Sequence, residues 1–281
     1  MMRARTVLVG VIATIMTLGM ASGAVAAERQ DARLLTSTQV LDDLMHMPEQ
    51  NIPAWLLERA HAVAVVPSVI KLGLGIGGRR GKGVLVVRKD SGAWSNPVFV
   101  NLTGGSFGFQ LGVQSTDVVL VFTSRQSIEG IVGGKVTLGA DASVAAGPVG
   151  RQSSAATDIG LTAQVYSYSR ASGLFAGVAL DGSALTIDNS SNESFYGRSG
   201  ILASEIIRSD APTAPESAQK FIAAMQRSVS GVAATQASAA PAAAAQAQPA
   251  QSNAPAAQPG HEGSLTTYPM EDAHPGAEPP P

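Results

Sequence analysis

The sequence contains no cysteine, which excludes disulfides, thiolate chemistry and cysteine-ligated metals. Histidine is scarce. His46 and His61 have no second histidine at turn spacing, a pattern that suits a structural role better than metal ligation. An excess of charge is missing too. The formal net charge is −2, so no global field favours nucleic acid, no nucleic-acid partner is expected, and any anion site must be a local patch. Aromatic residues make up only 5% of the chain while glycine occurs 30 times, a balance that suits a β-rich domain with many bends.

The two ends of the chain lack what a fold needs. After Gly231 there is no lysine or arginine and no apolar periodicity, only a run rich in alanine, glutamine and proline. Such a segment cannot bury enough surface to offset its ordering entropy, so residues 230–281 are expected to be a disordered tail. At the start, Arg3 and Arg5 precede a short apolar run, Val7 to Met20, and the small residues Ala24 to Ala27. This is the pattern of a secretory signal peptide over residues 1–27, and the apolar run is short for a membrane span. The expected product is exported, periplasmic or secreted, and at most peripheral to a membrane, with its domain over residues 28–229.

Within that domain, Leu34, Leu41, Leu44 and Met45 recur near helical spacing, and Pro53 suits the first turn of a second helix over 54–60. Short strands are expected at 61–66, where Pro67 ends the run, and at 83–88, 98–102, 107–113 and 117–122. Further expectations are helical turns at 124–132, strands at 135–138, 142–146 and 163–169, and a hairpin of 174–180 with 184–187 across Asp181-Gly182. A loop at 189–192 and helices at 194–209 and 215–229 follow. The fold class is α+β, with a dominant antiparallel, strongly bent sheet, either open or barrel-like, and helices at both ends.

Three short motifs fail on context. Gly73, Gly75 and Gly78 match the dinucleotide fingerprint, yet a strand follows where a helix must open. Gly81-Lys82 precedes Gly83 rather than Ser or Thr, which excludes a P-loop. Gly104, Ser106 and Gly108 match the nucleophile elbow, but the period after them is two, and the later histidines, His261 and His274, lie in the tail. Asp117, Asp141, Asp158, Asp181 and Asp188 are available carboxylates, and nothing selects a pair. No catalysis, metal or cofactor is expected.

What remains is the stretch from Leu72 to Gly112. Glycines interrupt strand-like runs, Lys71, Arg79, Arg80, Lys82, Arg88 and Lys89 crowd its front, and Asp90 is the only acid between His61 and Gln110. Glycine in a strand marks a bend, a bulge or the close approach of a backbone or ligand. If 78–83 is extended, Arg80 and Lys82 share a side and Arg79 takes the other. Basic residues on a strand also deter sheet-to-sheet aggregation, so a solvated edge and an anion site both stay open.

Four blocks in order, AVAVVPSVIKLGLGIGGRRGKGVLVVR (62–88), WSNPVFVNLTGGSFGFQLGVQSTDVVLVF (94–122), LGADASVAAGPVGR (138–151) and YSYSRASGLFAGVALDGSALTID (166–188), with Phe195-Tyr196-Gly197, resemble the SYLF domain family. The similarity covers roughly Leu34 to Ile207. The resemblance implies a lipid-binding module without catalysis. Eukaryotic members bind phosphoinositides and some fungal members bind actin, while bacterial members are mostly exported. For an exported chain it implies anionic phospholipid headgroups as the partner, with Arg79, Arg80, Lys82, Arg88 and Lys89 at phosphates and Lys71 and Arg151 as outer candidates. Actin is not expected. A structural or protein-binding module of the cell envelope is the alternative reading, and a hydrolase ranks last.

Overall fold

Five stretches that read as separate short strands form two very long ones. In the computed structural model β1 runs unbroken over Ala62–Val87 and β2 over Val98–Phe122. The structure describes residues 27–44, 52–148, 163–171, 174–208 and 212–230, with the backbone alone described at 54, 73–76, 106–112 and 174–175. The expected signal peptide, the tail after residue 230 and Arg151 lie outside the described residues.

The remaining elements are a helix over 27–44 (α1), α2 at Ala54–Arg59, α3 at Arg125–Val132, β3 at Lys135–Thr137 and β4 at Val144–Ala146. After them come β5 at Val165–Ala171, β6 at Leu174–Gly177, β7 at Ser183–Ile187, α4 at Asn189–Tyr196, α5 at Ala203–Ile207 and a helix over 216–230 (α6). The sheet is a strongly curled half-barrel in the order β3-β7-β2-β5-β4, with β1 paired to β2 and β6 to β5. All its pairings are antiparallel except that of β4 with β5.

Pro67 does not end its strand, because its missing N–H falls at a register shift between Val66 and Val69. Ser68 takes φ 51° there, and its N–H donates to Asp117 Oδ1 at 2.9 Å. Fully extended, 26 residues would reach about 85 Å. Instead β1 doubles back at its glycine-rich middle, where a second register shift lies between Gly73 and Gly75. Arg88 N donates to His61 O at 2.8 Å, so the two ends of the same strand lie side by side. A Cβ on Gly83 would stand 2.3 Å from the Val65 carbonyl oxygen, and one on Gly81 would stand 2.7 Å from methyls of Val66 and Val69. These glycines exist for the approach of another backbone, which is the other half of β1.

Alternation along the long strands fills two cores. Val63, Val65, Val119 and Val121 face Leu34, Leu41 and Leu44 of α1, Leu56 and Leu57 of α2, and Phe221 and Met225 of α6. Ala62, Ala64, Val66, Leu120 and Phe122 face the inside of the curl with Ile128 and Ile131 of α3. With both faces covered, the strands read as unbroken apolar runs rather than alternating ones. Each fully buried valine or leucine contributes roughly 1.5–3 kcal/mol.

Two further expectations are corrected. The run 174–187 is not a hairpin, since β6 pairs with β5 while β7 pairs with β2 and β3. Only Gly182 of the turn has a positive φ, and its N–H bonds to Leu138 O rather than closing a two-strand ladder. The segment 189–192 is the first turn of α4, because Asp188 caps it by accepting from Ser191 N, and Gly197 in the left-handed region stops the helix where a longer one had been expected.

Replacing Gly83 with valine is expected to lower stability by about 1–3 kcal/mol or more, because the obstructing Val65 atom is backbone and cannot rotate away. Gly78→Ala, whose Cβ would meet only Gly104 O at 3.8 Å, is expected to change stability by no more than about 1 kcal/mol. Urea midpoints of the two variants against the parent check this.

Candidate functional site

The fold divides the basic residues into those it uses and those it leaves unpaired. Arg88 is used: Nη1 donates to Glu58 O and Nη2 to Leu57 O, both at 2.9 Å, and the guanidinium lies 4.7 Å from the Trp94 ring centroid. It closes the C-terminal end of α2, where unsatisfied carbonyls favour a cation. Burial first, then the charges of Arg125 and Arg88, hold the pKa of neighbouring His61 below the ordinary histidine value.

Lys82 is used as well. Its Nζ lies 3.0 Å from Asp188 Oδ2, and Arg33 Nη1 stands 3.9 Å from the same oxygen. Asp188 is 6% exposed and also accepts from Ser191 Oγ at 2.8 Å and Ser190 Oγ at 2.9 Å. Burial pushes its pKa up, but hydrogen bonds from Ser191, Lys82 and Ser190 outweigh that and hold it below the usual carboxylate value. One buried acid therefore ties α1, β1 and α4 together.

Lys71, Arg79, Arg80 and Lys89 make no ion pair among the described residues. Lys89 sits beyond the end of β1, where its N–H donates to Ala93 O in the 89–93 turn. The other three flank the bend. On one face of the β1–β2 ribbon, Ile70, Leu72 and Val113 are 46%, 53% and 72% exposed, and register places Leu72 opposite Val113. Arg80 and Lys82 border the same side, and an open groove of about 520 Å³ runs between Ile70 and Leu72 of one half of β1 and Gly78 to Lys82 of the other. The opposite face carries Lys71, with Gln114 as its cross-strand partner, and meets Arg79. Arg80 and Lys82 line the groove alone, whereas Arg79, expected on the other side, lines both the groove and the cavity.

The sequence reading did not single out Ile70, Leu72 and Val113 as surface residues. The signal was present in the alternation of Ile70 and Leu72 with Lys71, but it needed the register with β2 to become a patch. Three of the five carboxylates that were candidates for catalysis are engaged within the fold, and Asp158 lies outside the described residues. Asp117 pairs with Arg170, Asp188 with Lys82, and Asp141 accepts from Thr137 N. Ser106 lies inside β2 and not at a strand-to-helix turn. Among the described residues no cluster of acids and histidines has the proximity to hold a metal, and no helix is long and apolar enough to cross a membrane.

Residues 103–228 match the family described as "Ysc84: Las17-binding protein actin regulator". The chain carries a domain of this family, the SYLF domain. The chain is 36% identical over 161 residues to the Xenopus laevis "SH3 domain-containing YSC84-like protein 1", covering 57% of this chain and 48% of that one. It is 35% identical over 181 residues to "Protein YSC84" of Saccharomyces cerevisiae, covering 63% and 38%, and 34% identical over 174 residues to yeast "LAS seventeen-binding protein 3", covering 61% and 38%. It therefore spans about half or less of the length of these curated relatives. The family description is that of an actin regulator and not of an enzyme, and the expectation that actin is no partner is not borne out. The family match begins at Thr103, so the basic residues from Lys71 to Lys89 precede the matched residues.

Because the folded-state pKa of Asp188 is depressed, its stabilising effect is present above the unfolded value of about 3.9 and is lost as pH falls through the folded value. Asp188→Asn is expected to lower stability at neutral pH and to flatten the acid limb below about pH 4. Urea midpoints measured from pH 2 to 7 test this, and an unchanged acid limb would contradict it.

Proposed function

We propose that this SYLF domain is an exported peripheral module that binds the surface of anionic membranes without catalysis. The observation that carries the reading is the bend of the β1–β2 ribbon, where exposed Ile70, Leu72 and Val113 adjoin the unpaired Arg80 and Arg79, with Lys71 on the opposite face. Contiguous exposed apolar side chains rimmed by polar ones mark interaction surfaces. Aliphatic side chains entering the headgroup region and cations held at phosphate level are the two ingredients of interfacial binding. The bend has the sequence LGLGIGG in β1 and SFGFQLG in β2, rich in apolar residues and free of acids. Arg79 and Arg80 remain the central phosphate contacts of this reading. Arg88 and Lys82 support it indirectly, by fixing the ribbon to α2 and α4. Export rests on the leader-like first residues.

A second reading, a protein-binding module, is favoured by the family description and by relatives whose names refer to Las17 binding. In an exported protein the partner would belong to the cell envelope. In a cytoplasmic one it would be actin or its regulators.

Co-sedimentation with vesicles separates the readings. The membrane reading predicts pelleting with phosphatidylglycerol-containing vesicles, little with phosphatidylcholine alone, and weakening as salt shortens the Debye length. Leu72→Ser/Val113→Ser and Arg80→Glu are each expected to reduce pelleting by about tenfold, the scale of roughly 1 kcal/mol per surface cation plus the lost apolar insertion. Equal pelleting with neutral vesicles, or salt-resistant capture of F-actin with no vesicle binding, would replace the membrane reading with the second.

A further inference from the structure

The face of the ribbon opposite Ile70 and Leu72 carries a separate, smaller cavity of about 220 Å³, room for roughly seven waters at about 30 Å³ each. It lies at the edge of the inner core, with Val118 and Leu180 of that core in its wall. The polar part of its lining is Lys71, Arg79, Gln114, Thr116 and Ser169, and among the described residues no carboxylate lines it. Register explains the convergence. Lys71 stands opposite Gln114, Val69 opposite Thr116, and Val118 opposite Ser169, so strand alternation aims these side chains to one side. Arg79 reaches the same space from the returning half of β1.

Two cations sharing one cavity repel each other, and an anion bound between them would offset that repulsion. The Arg79 Nε is buried and has no hydrogen-bond partner among the described residues. Asp181 attracts the guanidinium but makes no ion pair with it. A buried guanidinium N–H without an acceptor is costly, and an oxyanion in the cavity would satisfy it. Around that position stand a planar fork of donors from Arg79, the ammonium of Lys71, two hydroxyls and a side-chain amide, a set suited to several oxygens on one tetrahedral centre.

We propose that this cavity is a binding site for a phosphate monoester. A monoester carries about −1.5 to −2 at pH 7, which matches two cations, whereas a diester carries a single charge. Arg79 borders both the cavity and the outer groove. A lipid monoester would place its phosphate in the cavity, and a soluble sugar phosphate would fill the same site. The site rests on the membrane reading only for the lipid source of its ligand.

Calorimetric titration of the full chain with three probes tests this: glycerol 3-phosphate, dioctanoyl phosphatidic acid and dioctanoyl phosphatidylglycerol. The proposal expects saturable binding of at least one monoester, at least about tenfold tighter than the diester lipid. Arg79→Gln, and independently Thr116→Val/Ser169→Ala, should weaken monoester binding by about tenfold each with urea midpoints retained. The hydroxyl variant should leave phosphatidylglycerol vesicle pelleting unchanged. Binding of glycerol 3-phosphate alone assigns the site to a soluble ligand, and binding of phosphatidic acid alone assigns it to a lipid. Either outcome upholds the chemistry. Vesicle pelleting with no monoester binding, or equal affinity for the diester, overturns the cavity proposal alone. Monoester binding with no vesicle pelleting overturns the membrane reading alone.

Discussion

The contact between the two halves of β1 is the constraint on which the rest of the architecture depends. Gly81 and Gly83 carry no side chain where Val65, Val66 and Val69 pass, and this lets one strand lie against itself. Because β2 follows β1 in register from Leu85–Val98 to Ala62–Phe122, it must double back too. The two ends of β2 then offer their outer edges to β7 at Val100–Gly104 and to β5 at Asp117–Phe122. The curl of the sheet, the apolar interior and the covering by α1, α2 and α6 all follow from that fold-back.

The same fold-back gathers the charges. It brings Gly78 to Lys82 beside Ser68 to Leu72, and so places Arg79 and Arg80 next to Lys71 and the exposed Ile70 and Leu72. Elsewhere the structure spends its ions on stitching. Arg170 pairs with both Asp43 of α1 and Asp117 of β2, and Asp117 also holds the bulge at Ser68. Lys82 and Arg33 converge on Asp188. Arg79 and Arg80 stand out because, among the described residues, neither has an acid at ion-pairing distance.

Much of this was legible in the chain. The apolar period of 34–44, the valine-rich runs and the glycines of 72–83 predicted helix, buried strands and bends, and the family resemblance agreed with the match over 103–228. Strand continuity was not legible, because Pro67 and the glycines are local breakers whose effect was overridden by a bulge and by tertiary contact. The roles of Arg88 and Lys82 were hidden for a related reason. Their partners, Leu57 and Asp188, lie far away in sequence, and a lone arginine or lysine says nothing about which distant carbonyl or acid it will meet. The apolar patch and the cavity are both products of register, which a single strand's alternation cannot supply.

The chain's lack of cysteine makes one measurement unusually clean. A nitroxide attached at Val113→Cys reports the depth of the ribbon's exposed face, and one at Leu202→Cys reports an exposed apolar position outside the ribbon. On phosphatidylglycerol vesicles the account predicts that the label at 113 gains accessibility to oxygen and loses it to a water-soluble nickel chelate, while the label at 202 stays in water. A label at 113 that remains in water on vesicle-bound protein would contradict it.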